Sequence, residues 1–365
     1  MNNSTIIKNF CIVPENGQGK AWDIVQSLQY CFINESLFNF HLLGFATIID
    51  TNNWLEKLPI NSNCWLNIKI HSNINNSEME LTFHITGISD IQRLQGNKKQ
   101  YNIQFVSEEA IQNFNVRISK GYAGASTSIV RDILSKITQK SILISKANDD
   151  AKILSPNMHP YKLIDMLNLY GSKNCYDFIL WENFRGLNYH RVTELLNRKI
   201  IHNIAEKDIQ AITEKEIYNN PDYISDTNNI TNYYQPENED LIQQLKTGVL
   251  GSSTYTYNSL NGMPYKYEVN NSKKNNIIYH FNEDTLNYKN YGSRHKILNQ
   301  MIDNELLVVT FGDFERCTGD MCYVEINGAA KQAEYTSSLS GNFLIMRIEH
   351  EFTPISYKQT LGLTR

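Results

Sequence analysis

The sequence has little of what marks a secreted, membrane-spanning or metal-binding protein. Its six cysteines are scattered over 365 residues, and the closely spaced Cys317 and Cys322 have no nearby histidine to complete a metal site. No segment approaches the roughly 18 apolar residues of a membrane span. The polar start "MNNSTIIKNFCIVPENG" does not resemble a signal peptide. We therefore expect free buried thiols, folding in a reducing cytoplasm and no membrane insertion.

Basic residues are not in excess either, because 34 Lys and Arg stand against 38 Asp and Glu, which gives a formal net charge of −4. This balance argues against a strongly basic surface for binding nucleic acids. The length predicts two to three domains, and an apolar fraction of 41% is sufficient for their cores. The 21 Tyr and 15 Phe favour strands and interfaces over a helical bundle.

Catalytic and cofactor-binding patterns are absent as well. The nine histidines form no His-x-x-x-His pair, and "GYAGASTS" at 121–128 lacks the Gly-Lys-Ser/Thr ending of a phosphate loop. Glu182 in "WEN" has no partner acid that the sequence can assign. We expect Glu182 and Asn183 to bond the turn before Gly186. The sequence thus predicts a protein that is not an enzyme and has no cofactor or metal.

What the sequence does contain is a series of short segments with alternating apolar and polar residues, which is typical of strands. Four of them lie between Phe38 and Phe105, namely "FHLLGFATIID", "CWLNIKIHS", "EMELTFHITGISD" and "QYNIQFVSEE". Ahead of them, the spacing of Trp22, Val25 and Leu28 indicates a short helix. We assign residues 1–117 to a first β-barrel domain.

After Arg117 the pattern changes to helices mixed with strands. Helical spacing begins near "STSIVRDIL", where Ser126 or Thr127 is expected to cap the helix. Pro160 is placed in the first turn of another helix, and the following "YDFILWEN" is predicted to be a strand. We assign residues 118–230 and 261–305 to an α/β middle region.

Alternating strands resume at Leu306 and continue to the end of the sequence. In the closing "SGNFLIMRIEHEFTPISYKQTLGLTR", His350 has the apolar parity, whereas Arg347, Glu349 and Glu351 have the other. We expect a core or interface histidine, and a face that is solvated or makes intersubunit ion pairs. Residues 231–260 and 306–365 are assigned to a second β-barrel domain. The predicted fold is α+β, mainly β: two similar small antiparallel β-barrels plus an α/β middle region.

The two strand regions resemble each other in sequence. Residues 64–68 align with 322–326, 81–90 with 343–352, and 101–105 with 357–361, at offsets of 258, 262 and 256. The constant order and spacing indicate a duplicated domain, although two unrelated β domains with similar alternation would look alike. If the duplication is real, three chains place six similar barrels around one axis, which is a near-sixfold ring from a threefold assembly.

The most specific stretch of the sequence is "QYNIQFVSEEAIQNFNVRISKGYAGASTSIVRDIL". It resembles the central baseplate hub proteins of contractile-tailed bacteriophages, a hub family shared with the hub half of type VI secretion spike proteins. Further likeness lies in "LEKLPINSNCWLNIKI", "PNMHPYKLIDML", "FILWENFRGLNYH" and the closing hairpin, so that nearly the whole chain is covered.

The resemblance implies a structural homotrimer in the baseplate of the virion tail, assembled in the host cytoplasm. Such a hub adapts a threefold central spike to a sixfold tail tube and forms part of the genome-ejection channel. The implied partners are the central spike protein, the tail tube initiator or tube protein, the tape measure protein and transiently passing DNA. Structural or interface candidates are Gly121, Tyr122, Gly124, Pro156, Trp181, Glu182, Asn183, Gly186, Arg347, His350 and Tyr357.

Two alternatives remain open at this point. One is a baseplate protein that binds glycans or hydrolyses peptidoglycan, and the other is the hub of a non-phage contractile injection machine. The chain also departs from some relatives, which continue past the last barrel with an extra tail, whereas this sequence stops at Arg365. We therefore expect any spike attachment to use the barrels or the middle region.

Overall fold

The computed structural model describes most of the chain at the level of secondary structure and contacts. The described residues are 5–14, 21–58, 60, 64–72, 76–96, 98–146, 150–171, 177–206, 227–234, 252–257, 264–269, 276–279, 294, 298, 301–302, 305–327 and 339–365.

The N-terminal part consists almost entirely of strands. Its elements are β1 (Thr5–Pro14), β2 (Trp22–Asp23), β3 (Leu28–Ser36), β4 (Leu43–Asp50), α1 (Trp54–Lys57), β5 (Cys64–Ser72), β6 (Ser77–Arg93) and β7 (Lys99–Ser107). The prediction of a short helix from Trp22 to Leu28 is wrong, because only Val25–Ser27 forms a 3₁₀ turn and β3 begins at Leu28. Leu28 and the alternating Cys31 and Ile33 are all buried, with a β-bulge after Leu28 bringing them to the same side, and this burial outweighs the local helical spacing.

The middle part mixes helices and strands, as predicted. Its elements are α2 (Glu108–Asn115), β8 (Ile118–Gly124), α3 (Ser126–Leu134), β9 (Ile142–Ile144), β10 (Ala151–Met158), α4 (Pro160–Met166), β11 (Phe178–Asn183), β12 (Gly186–Arg191) and α5 (Val192–Leu195). Pro160 opens α4 as expected, but Ala125 occupies the N-cap position of α3, which has no side-chain cap. The expected cap by Ser126 or Thr127 is therefore wrong, because both residues already lie inside the helix.

The remaining elements return to strands. They are β13 (Ile200–Ala205), β14 (Ile230–Tyr234), β15 (Ser252–Tyr257), β16 (Pro264–Val269), β17 (Asn276–Tyr279), β18 (Leu306–Phe311), β19 (Met321–Glu325), β20 (Gly341–Phe352) and β21 (Tyr357–Thr364). The spacing in "DLIQQLKTGVLGSSTYTYNSLNG" also predicts a short helix, whose residues lie outside the described ones. The α+β, mainly β fold class is confirmed.

Within the described residues, one 13-stranded sheet contains both strand regions. Its path runs β14-β18-β21-β20-β3-β4-β7-β6-β5-β1-β2, with β19 beside β20 and β13 beside β19. Three smaller sheets are separate from it: β10-β8, β11-β12-β9 and β16-β15-β17.

The predicted duplication is visible in the order of the strands. The first strand unit, β3-β4-β7-β6-β5-β1, has the same neighbour relations as the second strand unit, β14-β18-β21-β20-β19-β13. One difference is that β1 pairs antiparallel to β5, whereas β13 pairs parallel to β19. The second unit curls back on itself, since Ala205 forms an isolated bridge with Asn229 just before β14.

The register of the closing hairpins agrees with the sequence alignment to within one residue. Ile85 lies opposite Phe105 in the β6–β7 hairpin, and Ile348 lies opposite Leu361 in the β20–β21 hairpin. The preceding hairpins agree less well, because β19 pairs only with Gly341–Leu344 at the start of β20, whereas β5 pairs with β6 over its full length.

The two strand units are joined by β20. After leaving β19, the segment Arg347–Phe352 pairs antiparallel with Ser36–Cys31 of β3. A β-bulge between Ile345 and Arg347 marks the change. Before the bulge both faces of β20 are buried, because Phe343 and Ile345 enter one core while Leu344 and Met346 enter another. The alternation expected for one buried face therefore holds only after the bulge.

Separate apolar cores lie on the two sides of this join. The first unit packs around Phe10, Leu66, Phe83 and Phe105, and the second around Val308, Val324, Ile345 and Leu361. The middle part has its own core, which includes Val130, Leu163, Phe178 and Tyr189. A fourth, smaller cluster around Trp181, Met321 and Leu344 packs where these parts meet.

The cysteine prediction agrees with the structure where it can be compared. Cys31, Cys317 and Cys322 are buried free thiols, and Cys11 is a half-buried one. Burial raises the pKa of the Cys322 thiol to about 12, which makes it a poor nucleophile. Among the described helices, none has the length and apolar character needed to cross a bilayer.

We predict that truncation after Pro354 abolishes folding. The deletion removes β21, which pairs with β18 on one side and β20 on the other, and it removes the buried Tyr357, Leu361 and Leu363. Circular dichroism and thermal unfolding check this expectation. Removal of the exposed Arg365 alone is the matched control and should leave the melting transition unchanged; a cooperatively folded product of the longer deletion would contradict the prediction.

Candidate functional site

The β11–β12 hairpin inserts its tip at the join between the two strand units. Trp181 is completely buried on β11, and its Nε1–H donates to the Thr318 carbonyl at 3.4 Å. The Asn183 amide donates to the same carbonyl at 3.0 Å. Residues 312–320, which connect β18 to β19, thereby become attached to the hairpin. We call this region, where the hairpin tip, β3, β20 and residues 312–320 meet, the polar junction.

A buried carboxyl group, Glu35 at the end of β3, is a central acceptor of the polar junction. Its Oε1 accepts the Phe184 N–H at 2.9 Å, and its Oε2 accepts the Thr318 N–H at 3.1 Å. His350 Nε2 of β20 lies 3.5 Å from Glu35 Oε1. Both side chains are fully buried, and the imidazole stacks on the Phe184 ring with a centroid distance of 4.3 Å. Glu35 thus contacts three segments that are distant in sequence.

A hydrogen-bonded chain starts at the other ring nitrogen of His350 and runs along the closing hairpin. His350 Nδ1 lies 2.8 Å from the Tyr357 hydroxyl, which also accepts the Gln359 amide at 2.9 Å. Burial, with smaller effects from nearby acids, raises the pKa of Tyr357 well above its usual value, so the phenol stays protonated. The hairpin that closes the sequence is therefore held to the junction through the Tyr357 hydroxyl and the Gln359 amide.

Arg316 provides a second buried anchor. Its guanidinium donates to Thr310 Oγ1 and Gln359 Oε1, both at 2.9 Å, and to the Thr227 carbonyl at 3.0 Å. Burial lowers the pKa of Arg316, but guanidinium groups remain charged in proteins. A buried charge needs such donors and acceptors to offset its lost hydration, so these contacts hold residues 312–320 against β18 and β21.

Asp320 and Arg185 form a bidentate ion pair across the polar junction. Arg185 Nη1 and Nη2 donate to the two Asp320 carboxylate oxygens at 2.7 and 2.8 Å. His202 Nε2 lies 3.1 Å from Oδ2, and the Cys317 N–H donates to the same oxygen at 3.0 Å. Burial opposes ionisation, but hydrogen bonds from His202 and Arg185 outweigh it and lower the pKa of Asp320. This pair contributes stability that is lost as the pH falls through that pKa.

On the other side of the hairpin, Lys140 bridges two buried carboxylates. Its Nζ lies 2.6 Å from Glu182 Oε1 and 2.8 Å from Glu109 Oε2. Glu182 Oε2 also accepts the Ser107 hydroxyl at 2.5 Å and the Leu42 N–H at 3.0 Å. The cluster therefore ties β11 to the entrance of β4, the end of β7 and α2. We call it the lysine bridge.

The pKa values in the lysine bridge respond to burial and charge in opposite ways. Burial raises the pKa of Glu182, and the Glu109 charge adds to this while Lys140 opposes it. Burial alone would lower the pKa of Lys140, but the charges of Glu182 and Glu109 outweigh it and raise that pKa. The raised lysine pKa means that the Lys140 contacts add stability that is lost as the pH rises through that pKa, whereas the raised Glu182 pKa means that ionising this carboxyl group in the folded state costs stability.

The carboxyl oxygens of Glu35 in the polar junction and of Glu182 in the lysine bridge each have a partner from another segment of the same chain. Within the part of the chain that the structure describes, no three His, Cys, Asp or Glu side chains are arranged to hold a metal ion.

The structure brings some of the sequence candidates together and separates others. Six of them lie in or beside the polar junction: Trp181, Glu182, Asn183, Gly186, His350 and Tyr357. Four lie in the separate two-stranded sheet β8–β10: Gly121, Tyr122, Gly124 and Pro156.

The local contacts differ in part from the sequence expectation. Asn183 Oδ1 accepts the Arg185 N–H at 3.0 Å and so bonds the turn as expected. Glu182 does not, because its oxygens bond Leu42, Ser107 and Lys140 instead.

The polar side chains beside the hairpins also have partners within the chain. Arg347 is half-buried, and its Nε lies 2.8 Å from Glu305 Oε1. The ion pair with Glu305 lies within the chain and involves the β20 face that was expected to be solvated or intersubunit. Tyr122 is buried at the edge of the middle core, and the Lys136 ammonium donates to its hydroxyl at 3.3 Å.

Sequence reasoning missed four central residues of the two clusters: Glu35, Lys140, Arg316 and Asp320. Glu35 had a usable signal, since it continues the apolar parity of Cys31 and Ile33 along β3, where a charged residue needs a buried partner. The other three lie in connecting segments without periodicity, so their burial follows only from the tertiary arrangement.

We predict that Lys140→Met destabilises the protein by about 3 kcal/mol at pH 7, because it leaves two buried carboxylates without their cation. Lys136→Met is the matched control, since its side chain is equally exposed at 35% but its partner Asp132 lies at the surface. That control should cost less than about 1 kcal/mol. Denaturant unfolding measures both values.

The pH dependence gives a further check on Lys140→Met. Because the pKa of Glu182 is raised, acidification protonates it in the folded state before the unfolded chain, and a neutral carboxyl needs no cation. The stability difference from the wild type should therefore shrink from pH 7 toward pH 5. A difference that stays constant over this range would contradict the proposed charge burial.

We also predict that Gly186→Ala destabilises the hairpin by about 2 kcal/mol. Gly186 has φ +124°, and a Cβ there would lie 2.4 Å from the Ser141 carbonyl oxygen, so both backbone strain and a steric clash oppose the substitution. Gly121→Ala is the control, because its new Cβ would meet only Leu154 Cδ1 at 3.8 Å. Equal unfolding midpoints for the two variants would rule out this role of Gly186.

Comparison with known proteins connects this fold to phage tails. No family model and no curated protein matches the chain. The tail protein from Neisseria meningitidis MC58 has a similar structure, with a TM-score of 0.60, 9% identity, and coverage of 98% of this chain and 96% of that one. The 43 kDa tail protein of prophage MuSo2 from Shewanella oneidensis gives 0.62, 11%, and 98% of both chains.

A third similar structure belongs to the lidless PdpA–VgrG complex. Its TM-score is 0.50 with 9% identity, and the match covers 99% of this chain but 64% of that one. At these identities the likeness concerns the fold. Because the two tail proteins match along nearly their whole length, the chain has, from end to end, the fold seen in these two tail proteins.

Proposed function

We propose that this chain is the structural central hub of a contractile phage tail baseplate. The observation that carries the proposal is the pair of equivalent strand units in one sheet, combined with a fold shared along the whole length of two tail proteins, one of them from a prophage. A structural role is also supported by the polar junction, whose buried carboxyl groups bond the protein's own segments.

The mechanism is one of symmetry matching. Each chain contributes two similar units, so a homotrimer presents six similar surfaces toward the tail tube while its overall symmetry stays threefold toward the central spike. The partners on the two sides are the tube initiator or tube protein and the spike protein. Between them the trimer forms part of the channel for the tape measure protein and the genome, in the tail baseplate of the virion.

The polar junction has a specific task in such a hub. The two units must keep a fixed angle to each other, since a change would break the near-sixfold arrangement. Glu35, Arg316 and the Asp320–Arg185 pair hold the hairpin tip, β3 and residues 312–320 together at the join. We assign the candidates Trp181, His350 and Tyr357 to this task, and we assign Gly121, Gly124 and Pro156 to the α/β middle region at 118–230 and 261–305.

A second candidate is the hub of a non-phage contractile injection machine. It is favoured by the likeness to a chain of the PdpA–VgrG complex. This chain spans about two thirds of that one, which is the extent expected if it corresponds to a hub portion without the remainder. The assembly proposed for the chain itself is the same in both cases.

Light scattering tests the proposal. We predict that the purified 42.2 kDa chain has the mass of three copies at micromolar concentration. The three copies should stay together when they bind the product of the neighbouring spike gene. Binding of a spike monomer, or a monomeric chain that fails to join a spike trimer, would contradict the hub assignment. Release of sugars from peptidoglycan by the purified trimer would support the hydrolase alternative instead.

A further inference from the structure

β20 divides one of its edges between two partners. Gly341–Leu344 pair with β19 of the same strand unit, and Arg347–Phe352 pair with β3 of the other unit. Its opposite edge pairs with β21 almost throughout. The second half of this divided edge makes the join between the two units.

β6 is the equivalent strand of the first unit, and it uses only half of the same edge. Ser77–His84 pair with β5, and the opposite edge pairs with β7 as far as Arg93. From Ile85 onward the β5 edge has no strand partner among the described residues. The half that makes the join in β20 is therefore open in β6.

β14 is the equivalent of β3, and its outer edge is open as well. Tracing the pairs through β4 and β7 in one unit, and through β18 and β21 in the other, makes the segment 32–34 of β3 equivalent to 232–234 of β14. In the part of the chain that the structure describes, β14 pairs with β18 alone. The described part of the chain thus contains one join, the β20–β3 pairing. It also contains two open edges, on β6 and β14, that are equivalent to the two edges paired in this join.

Side chains in the β20–β3 join are more deeply buried than the equivalent side chains on the open edges, as expected if the open edges lack a partner. In the β20–β3 join, His350 lies opposite Ile33, and both are 0% exposed. Their equivalents, Ile88 and Tyr233, are only partly buried, although each packs against the core of its own unit. Covering both edges would bury these two side chains in the same way.

We propose that the open edge of β6 pairs with the open edge of β14 in a second copy of this chain. In the β20–β3 join, Glu349, His350 and Glu351 lie opposite Asn34, Ile33 and Phe32. The same register applied to the open edges gives three antiparallel pairs. They are Gly87 with Tyr234, Ile88 with Tyr233, and Ser89 with Asn232 of the neighbour.

The side chains on both edges fit this register. Ile88 and Tyr233 point to the core side, where they bury apolar surface. Ser89 and Asn232 lie on the other face and are polar. Asp90 follows at φ +55° with a bulge, and a bulge ends regular pairing. The pairing segment is therefore short, as is usual for edges that must not bind strands indiscriminately.

A second copy is the occupant that the chain itself specifies, because its own β20–β3 join already shows that these two kinds of edge pair. The contact uses different surfaces on the two partners, so it repeats head to tail and forms a ring when the rotation between neighbouring copies closes. That the ring contains three copies rests on the proposed function; the pairing of the edges does not.

Crosslinking tests the register. A chain carrying Ser89→Cys and Asn232→Cys, oxidised under mild conditions, should form disulfides between copies and migrate as a closed trimer on a non-reducing gel. Ser89→Cys with Tyr233→Cys is the control, since a shift of one residue turns the second side chain to the other face. Both single variants control for the native cysteines. Crosslinking of the control pair to the same extent would overturn the register.

A second pair of variants tests the edge without relying on a disulfide. Ile88→Lys places a charge in the proposed β6–β14 contact between copies. We expect circular dichroism to show a folded chain, and light scattering to show that its mass falls to that of a monomer. Ile91→Lys, at a position that is 58% exposed beyond the bulge, should remain trimeric.

The outcomes separate this inference from the proposed function. A trimeric parent chain that gives no Ser89–Asn232 crosslink, or that stays trimeric with Ile88→Lys, overturns the edge pairing and leaves the hub proposal standing. A parent chain that is monomeric at micromolar concentration overturns the hub proposal together with the pairing. Loss of the trimer in Ile88→Lys, with crosslinking only in the matched register, supports both.

Discussion

The buried carboxyl group of Glu35 is the constraint on which the rest of the structure depends. Removing such a group from water costs several kcal/mol unless donors replace the lost hydration. The replacing donors come from the hairpin tip at Phe184 and the loop at Thr318, with His350 of β20 beside them. These segments cannot separate without exposing or orphaning the group, so a single side chain fixes the relation between both strand units and the middle part.

The amount of structure that could be predicted follows the range of the forces involved. Strand positions and the fold class depend on alternation within a few residues, and this pattern predicted β4 to β7 and β18 to β21 well. The contact between Glu35 and Thr318 joins residues 283 apart, and no local pattern carries that information. Where local spacing and tertiary burial disagreed, as from Trp22 to Leu28, burial determined the outcome.

The repeat shows both the reach and the limit of sequence comparison. Similar offsets predicted equivalent hairpins, and the order of strands in the two units confirms them. The alignment could not show that one edge of β20 changes its partner after Ile345, from β19 to β3 of the other unit, while the opposite edge stays paired with β21. The apolar parity before the bulge gives no sign of it either, because four consecutive buried residues there serve two different cores. Which strand edge pairs with the other unit depends on the tertiary arrangement of the two units.

The shared strand also has a mechanical consequence. Because β20 runs antiparallel between β21 and β3, a force that pulls the two units apart along the strand axis loads all hydrogen bonds of the β20–β3 ladder in shear. Bonds loaded in this way must break together, whereas bonds loaded from one end break in succession. In the proposed role in a contractile tail, this ladder would resist the part of the load that acts along the axis of β20.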